Sequence, residues 1–255
     1  MSVQVSVSGA LLSRTGLSLT GDCTITFFAR RDTDTGDYSV TLNAGNSANM
    51  SGASMEVGVN AADRLYSAYN DGASGVEVNT HAVGGGATSW TVGTWKFVAM
   101  VRTGSAWTVY EAPAESTTAL LALASFSSSY TGTVSEIRVS DSPFGATYRW
   151  AGDARGLRAW SDDLSTTELA LERRSLDSAV RTANLVASWP LAASGSATTD
   201  NSGAGLSLTS AGTITTDTDP AVNAGTASVS VAATTSAAGL ARSSGTASTT
   251  GAATD

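Results

Sequence analysis

Three aspartates in one short segment are the first residues whose type and spacing suggest a binding site. Asp32, Asp34 and Asp37 lie in the segment RRDTDTGDY. Closely spaced carboxylates supply the hard oxygen ligands that calcium prefers. The segment departs from the EF-hand pattern, because Gly36 stands where a ligand is expected and no Glu follows at the twelfth position. Two interpretations stay open, a calcium-binding loop and a solvated turn between two strands, and we expect no other cofactor.

A second group of residues combines an amide, a carboxylate and two aromatic rings in glycine-containing segments. Tyr69, Asn70 and Asp71 lie in SAYNDGASG, and Trp90 ends the segment GGGATSW. Binding sites for small polar ligands commonly place a few such groups beside aromatic side chains. We predict these four residues as the carbohydrate-binding site, with ordinary loop residues as the alternative.

Catalytic residues are not recognisable in the sequence. Glycoside hydrolysis needs two carboxyl groups about 5–10 Å apart. Glu136 and Asp141 are five positions apart and would point to opposite faces of a regular strand. Because His81 is the only histidine, histidine-rich metal sites and metalloprotease helices are excluded. We therefore predict that the protein is not an enzyme.

The charge balance limits the partners that the protein can bind. The chain has 14 Lys and Arg against 22 Asp and Glu, a net charge of -8 and a sequence pI of about 4.6. Without a basic stripe, neither nucleic acid nor an anionic membrane surface is an expected partner. The N-terminal segment MSVQVSVSGALLSR lacks a basic region and a continuous apolar region, so no secretory signal is predicted.

Alternation of apolar and polar residues dominates the sequence and predicts about a dozen short strands. Trp95, Phe97, Ala99 and Val101 give the clearest pattern, in VGTWKFVAMVRTGSAWTVYEAP at 92–113. We interpret these side chains as core residues, although an aromatic ligand platform is the alternative. Cys23 lies in another alternating run, CTITFFA, and is predicted to be a buried apolar residue that has no cysteine partner. So many strands with short connections predict two packed antiparallel sheets.

One segment departs from the strand pattern. Ser165 and Glu168 have the spacing of a capping box, with Leu164 and Leu169 at the positions of a hydrophobic staple. A helix is predicted from 165 to 177, with Leu169, Leu176 and Val180 along one stripe.

The composition changes after Pro220. Residues 221–255 contain 28 Ala, Ser, Thr or Gly among 35 positions, and none is aromatic. Such a segment buries too little apolar surface to order itself, so it is predicted to need a partner. The sequence thus divides into a domain at 1–220 and a low-complexity C-terminal arm at 221–255.

Four segments together resemble the laminin G-like and concanavalin A-like jelly-roll domains. They are GDCTITFFARRD, the segment at 92–113, RGLRAWSDDLSTTELALERR, and NLVASWPLAASGSATTDNSGAGLSLTSAG. The resemblance covers about residues 20–219, although the hairpin ends in YEAPAE rather than in the family's Tyr-x-Asp-Gly. It implies an all-β, antiparallel two-sheet jelly-roll sandwich with one short helix.

The resemblance leaves two functions open, because this fold serves lectins, adhesion modules, glycosidases and viral structural parts. A jelly roll followed by low-complexity sequence is similar to bacteriophage minor tail or decoration proteins. This similarity predicts a virion location and homo-oligomer or virion contacts through residues 221–255. The alternative is a carbohydrate-binding adhesion module that recognises host surface glycans.

Overall fold

The chain divides into two units, Met1–Ala224 and Gly225–Asp255. The computed structural model describes residues 2–5, 11–33, 39–48, 54–60, 63–70, 75–76, 89–115, 119–127, 132–140, 150–192, 198–211, 214–217 and 219–222. The second unit, and with it nearly all of the predicted arm, lies outside these residues. Among the residues that the structure describes, no helix has the length and apolar character needed to cross a bilayer.

The described residues form fifteen strands and one helix. In chain order these are β1 Ser2–Val5, β2 Leu11–Leu19, β3 Cys23–Arg31, β4 Ser39–Gly45, β5 Ser54–Val59, β6 Leu65–Asn70, β7 Gly75–Val76, β8 Trp95–Thr103, β9 Ala106–Pro113, β10 Leu121–Ser127, β11 Val134–Val139, β12 Gly152–Trp160, α1 Thr166–Glu172, β13 Leu185–Trp189, β14 Thr209–Ala211 and β15 Ile214–Asp217.

The strands form two antiparallel sheets, which confirms the predicted jelly-roll sandwich. One sheet has eight described strands in the order β10-β9-β8-β3-β12-β1-β15, and β13 also pairs with β12. The other has seven, in the order β14-β2-β11-β4-β5-β6-β7. The two N-terminal strands separate, because β1 joins the eight-stranded sheet and β2 joins the seven-stranded sheet.

The eight-stranded sheet is buried on both faces. Val98 and Met100 belong to the main core cluster, which also contains residues of the seven-stranded sheet. Trp95, Phe97, Ala99 and Val101 alternate with them and belong to a second cluster, which contains Leu164 and Leu169 beside α1. The sequence interpretation of this strand as core is therefore confirmed.

The aromatic residue Trp107 of the partner strand β9 lies in the main core. Trp107 and Val109 pair with Arg102 and Met100, and both lie in the main core cluster. They therefore lie on the opposite face of the sheet from Trp95.

The capping box of α1 is present, but the helix is shorter than predicted. The side chain of Ser165 accepts a hydrogen bond from the backbone N of Glu168, and the Glu168 carboxylate accepts one from the backbone N of Ser165. The helix ends at Glu172 rather than at 177. Consequently Val180 does not continue the apolar stripe, and it is 51% exposed.

Candidate functional site

The four residues predicted to bind sugar do not form one exposed loop. Tyr69 and Asn70 end strand β6 instead of lying in a flexible turn. Tyr69 pairs with Met55, and Asn70 pairs with Ser54. Hydrogen bonding to two neighbouring strands, β5 and β7, keeps this end of β6 extended. Asp71 lies outside the described residues.

Trp90 is buried, which removes the exposed ring that the prediction required. Its ring centroid lies 5.0 Å from that of Trp150, and the ammonium of Lys96 lies 5.8 Å from the centroid of the Trp90 ring. The indole Nε1 donates a 2.9 Å hydrogen bond to the carbonyl of Thr94. Trp90 therefore acts as a core residue here. Sequence spacing did not reveal this, because Trp150 lies sixty positions further along the chain.

The predicted calcium residues are only partly described. The Asp32 carboxylate lies 3.3 Å from the Arg30 guanidinium, and Asp34 and Asp37 lie outside the described residues. No group of three or more potential metal ligands occurs in the described part of the chain. Calcium binding stays a prediction.

An open cavity lies where the segment after α1 meets strand β13. Its volume is about 430 Å³, within the range of about 300–1,000 Å³ that is usual for small-molecule sites. We call it the 177–201 cleft. It is lined by Asp177, Ser178, Ala179, Thr182, Leu185, Ser188 and Asn201.

Asp200 fixes one wall of the 177–201 cleft. Its carboxylate accepts hydrogen bonds from the backbone N atoms of Ser188, Ser202 and Leu206, at 2.9, 2.9 and 3.0 Å. Burial raises the pKa of Asp200, but these hydrogen bonds outweigh burial and hold the pKa below its ordinary value. The backbone N of Asn201 donates to the carbonyl of Ser188 at 2.7 Å. The side chain of Asn201 is thus presented from a rigid turn.

Buried arginines of β12 fix the other wall. Arg158 donates to the Glu172 carboxylate at 2.9 Å and to the Ser175 carbonyl at 2.6 Å. Arg155 contacts the Asp177 carboxylate at 2.6 Å. Between these arginines, Gly156 has a φ of +56°, and a Cβ there would lie 3.0 Å from the carbonyl O of Leu176. A glycine is therefore needed for the segment to approach the strand so closely.

The chemistry of the 177–201 cleft suits a polyhydroxylated ligand. Ala179 and Leu185 provide apolar surface, while hydroxyl, amide and carboxylate groups supply donors and acceptors. Within the described part of the chain, the side chains of Thr182 and Asn201 form no hydrogen bonds. Their hydrogen-bonding capacity is available to a ligand. The sequence analysis did not single out these residues, although Asp200 lies in one of the four segments that resemble the jelly-roll domains.

A second polar feature lies in the seven-stranded sheet. Register places Arg138, Asn43 and Glu56 side by side on β11, β4 and β5. Asn43 is fully buried, and neither its Nδ2 nor its Oδ1 has a hydrogen-bond partner within the described residues. Because this amide is inaccessible to solvent, we place the candidate site in the open 177–201 cleft instead.

Most of the buried carboxylates in the described residues are bound to a cation. Glu111 pairs with Lys96 at 2.6 Å, and the two side chains are only 2% and 5% exposed. The other carboxylate–cation pairs are Glu136 with Arg138, Asp153 with Arg30 and Glu172 with Arg158. Glu111 lies on strand β9. These carboxylates contribute to the ion pairs of the scaffold.

The sequence matches no protein-family model and no curated protein. The structure is similar to a putative carbohydrate binding protein from Bacteroides ovatus, with a TM-score of 0.54 and 14% identity, over 88% of this chain and 62% of that one.

Two other similar structures have lower TM-scores. Domains LG4-5 of the mouse laminin alpha1 chain give a TM-score of 0.45 at 14% identity, over 64% of this chain and 44% of that one. The CBM40 of Ruminococcus gnavus IT-sialidase, bound to alpha2,3 sialyllactose, gives 0.43 at 13% identity, over 66% and 93%. At such identities, the similarity to the Bacteroides ovatus protein shows the fold alone.

Proposed function

We propose that the protein is a non-catalytic carbohydrate-binding module whose 177–201 cleft holds a glycan unit. The observation that carries this proposal is the cleft itself, with its volume of about 430 Å³ and its lining of hydroxyl, amide and carboxylate groups. Sugars present adjacent hydroxyls that both donate and accept, and such a lining can satisfy both roles. The similarity to a putative carbohydrate binding protein agrees with this function.

The rigidity of the walls supports binding rather than a mobile catalytic loop. Asp200 fixes the turn that carries Asn201, and Arg155 holds Asp177. A site that is organised before its ligand arrives loses less entropy on binding. The ion pairs of Glu111, Glu136 and Glu172 agree with a structural rather than a catalytic role for these carboxylates.

An array of immobilised oligosaccharides, containing both uncharged and acidic members, tests glycan binding directly. Replacing both Thr182 and Asn201 by Ala should lower the affinity for any glycan bound by about tenfold, since each lost hydrogen bond costs about 0.5–1.5 kcal/mol. Thr199→Ala is the matched control, because Thr199 is exposed and close in sequence but does not line the cleft. A wild-type chain that binds no member of the array would contradict the proposal.

The second proposed role is that of a bacteriophage virion component, which is compatible with glycan binding. The abrupt change to Ala, Ser, Thr and Gly after Pro220 favours this role, with residues 221–255 as the arm that contacts another copy or another virion protein. Light scattering of the full chain and of a chain ending at Pro220 tests this role. An oligomer that becomes a monomer on truncation supports it, whereas two monomers contradict self-assembly through the arm.

A further inference from the structure

Only one of the seven described residues that line the 177–201 cleft carries a charge. That residue is Asp177, whose side chain is 76% exposed. Its Oδ1 lies 2.6 Å from a guanidinium nitrogen of Arg155, and its Oδ2 has no hydrogen-bond partner within the described residues. One oxygen of this carboxylate is thus available to accept a hydrogen bond from a ligand hydroxyl.

The guanidinium of Arg155, which contacts Asp177, is not available to bind an acidic ligand. The side chain of Arg155 is only 4% exposed. Besides Asp177, it contacts the Asp219 carboxylate at 2.9 Å and donates to the carbonyl of Pro190 at 2.5 Å. Arg155, Asp177 and Asp219 together carry a net charge of about -1. A ligand carboxylate in the cleft would meet this negative charge, and none of the described lining residues supplies a cation to bind it.

We propose that Asp177 is a specificity-determining residue that makes the cleft select uncharged sugars and reject sialic and uronic acids. This inference rests on the proposed function and adds the class of glycan. Asp177 accepts a hydroxyl of a neutral sugar through its available oxygen, and it repels a sugar carboxylate at the same place. Arg155 acts as a positioning residue, since it holds the Asp177 carboxylate at the rim of the cleft.

Matched pairs of glycans that differ in one acidic sugar test this selectivity. One pair is lactose and 3′-sialyllactose, and a second is cellobiose and a disaccharide ending in glucuronate. At low ionic strength we expect the uncharged member of a bound pair to bind at least about tenfold more tightly. Asp177→Asn should reduce the ratio of the two affinities, uncharged to acidic, by about tenfold, and 0.5 M salt should lower this ratio in the wild type.

Thr199→Ala is the control variant, since Thr199 is exposed, carries no charge and does not line the cleft, and the ratio should stay near the wild-type value. Asp219→Asn removes the other carboxylate that contacts Arg155 and brings the net charge of the three groups to about zero, so it should also lower the ratio, although Asp219 does not line the cleft. Equal or tighter binding of the acidic members by the wild type overturns the selectivity and leaves glycan binding in place. An unchanged ratio in Asp177→Asn overturns the role of Asp177. Binding to neither member of any pair overturns the proposed function itself.

Discussion

Arg158 on β12 and Glu172 at the end of α1 form an ion pair of 2.9 Å in which both side chains are buried. The second carboxylate oxygen of Glu172 accepts a hydrogen bond from the backbone N of Arg181 at 2.6 Å. The pair therefore connects the helix, the strand beneath it and the chain that follows. This connection also places the segment that forms one wall of the 177–201 cleft.

Removing one partner of this ion pair should destabilise the fold. Glu172→Leu leaves the Arg158 guanidinium buried without its anion, and we expect a loss of about 3–5 kcal/mol in the free energy of unfolding. Replacing both residues by Leu should recover most of that loss, because no unpaired charge remains. Chemical denaturation measures both values.

Asp177→Asn is the matched control for this prediction. It removes a carboxylate that also pairs with a β12 arginine but is 76% exposed, so its cost should stay below about 1 kcal/mol. Equal losses in Glu172→Leu and Asp177→Asn would show that the burial of the pair does not determine its contribution.

Local sequence patterns predicted the elements but not the places where they meet. The capping box at Ser165 and Glu168 correctly located the start of α1, because a cap depends on residues three positions apart. The predicted end of the helix, at 177, was wrong. The helix ends at Glu172, whose carboxylate accepts hydrogen bonds from Arg158 and from the backbone N of Arg181, and no local pattern records those bonds.

The candidate site was beyond prediction for the same reason. Its lining combines Asp177 with Asn201, which are brought together by a turn that Asp200 organises. Trp90 shows the opposite error, because it was predicted as a binding residue and is a core residue. A tryptophan after a glycine-rich segment looks the same in sequence whether its ring is exposed or packed against Trp150. Residue type indicated possible chemistry, and burial decided which residues could supply it.

Cys23 should not react with thiol reagents in the folded protein. Burial raises the pKa of its thiol to about 11, and Arg102 offsets part of that effect. At pH 8 the reactive thiolate is therefore scarce as well as inaccessible. We expect Ellman's reagent to label the chain stoichiometrically in 6 M guanidinium chloride and negligibly in buffer over the same time. Prompt labelling in buffer would contradict the buried placement of Cys23.

Asp153 should make the protein less stable as the pH rises from about 4 to about 7. Burial, together with the nearby charge of Asp32, raises the pKa of Asp153 to about 7, although Arg30 lowers it in part. In that pH range the folded chain keeps a proton that the unfolded chain has released. The free energy of unfolding therefore falls by up to about 1.4 kcal/mol per pH unit through this group, and it levels off above pH 7.

Asp153→Asn should remove this contribution to the pH dependence. Urea denaturation at pH 5, 6, 7 and 8 would measure it, with the wild type losing stability across the series and the variant losing less. Parallel pH profiles for the two proteins would contradict the assignment to Asp153.

Asn43→Val should stabilise the fold, because the buried amide of Asn43 has two polar atoms without partners in the described residues. Valine removes that desolvation cost, suits a strand and fills a similar volume. We expect a gain of about 1–3 kcal/mol in the free energy of unfolding. Asn43→Asp is the opposing variant, since it adds a buried charge beside Glu56 and should destabilise strongly. A loss of stability in Asn43→Val would instead show that the amide binds ordered water. Unchanged glycan affinity in Asn43→Val would show that Asn43 takes no part in glycan binding at the 177–201 cleft.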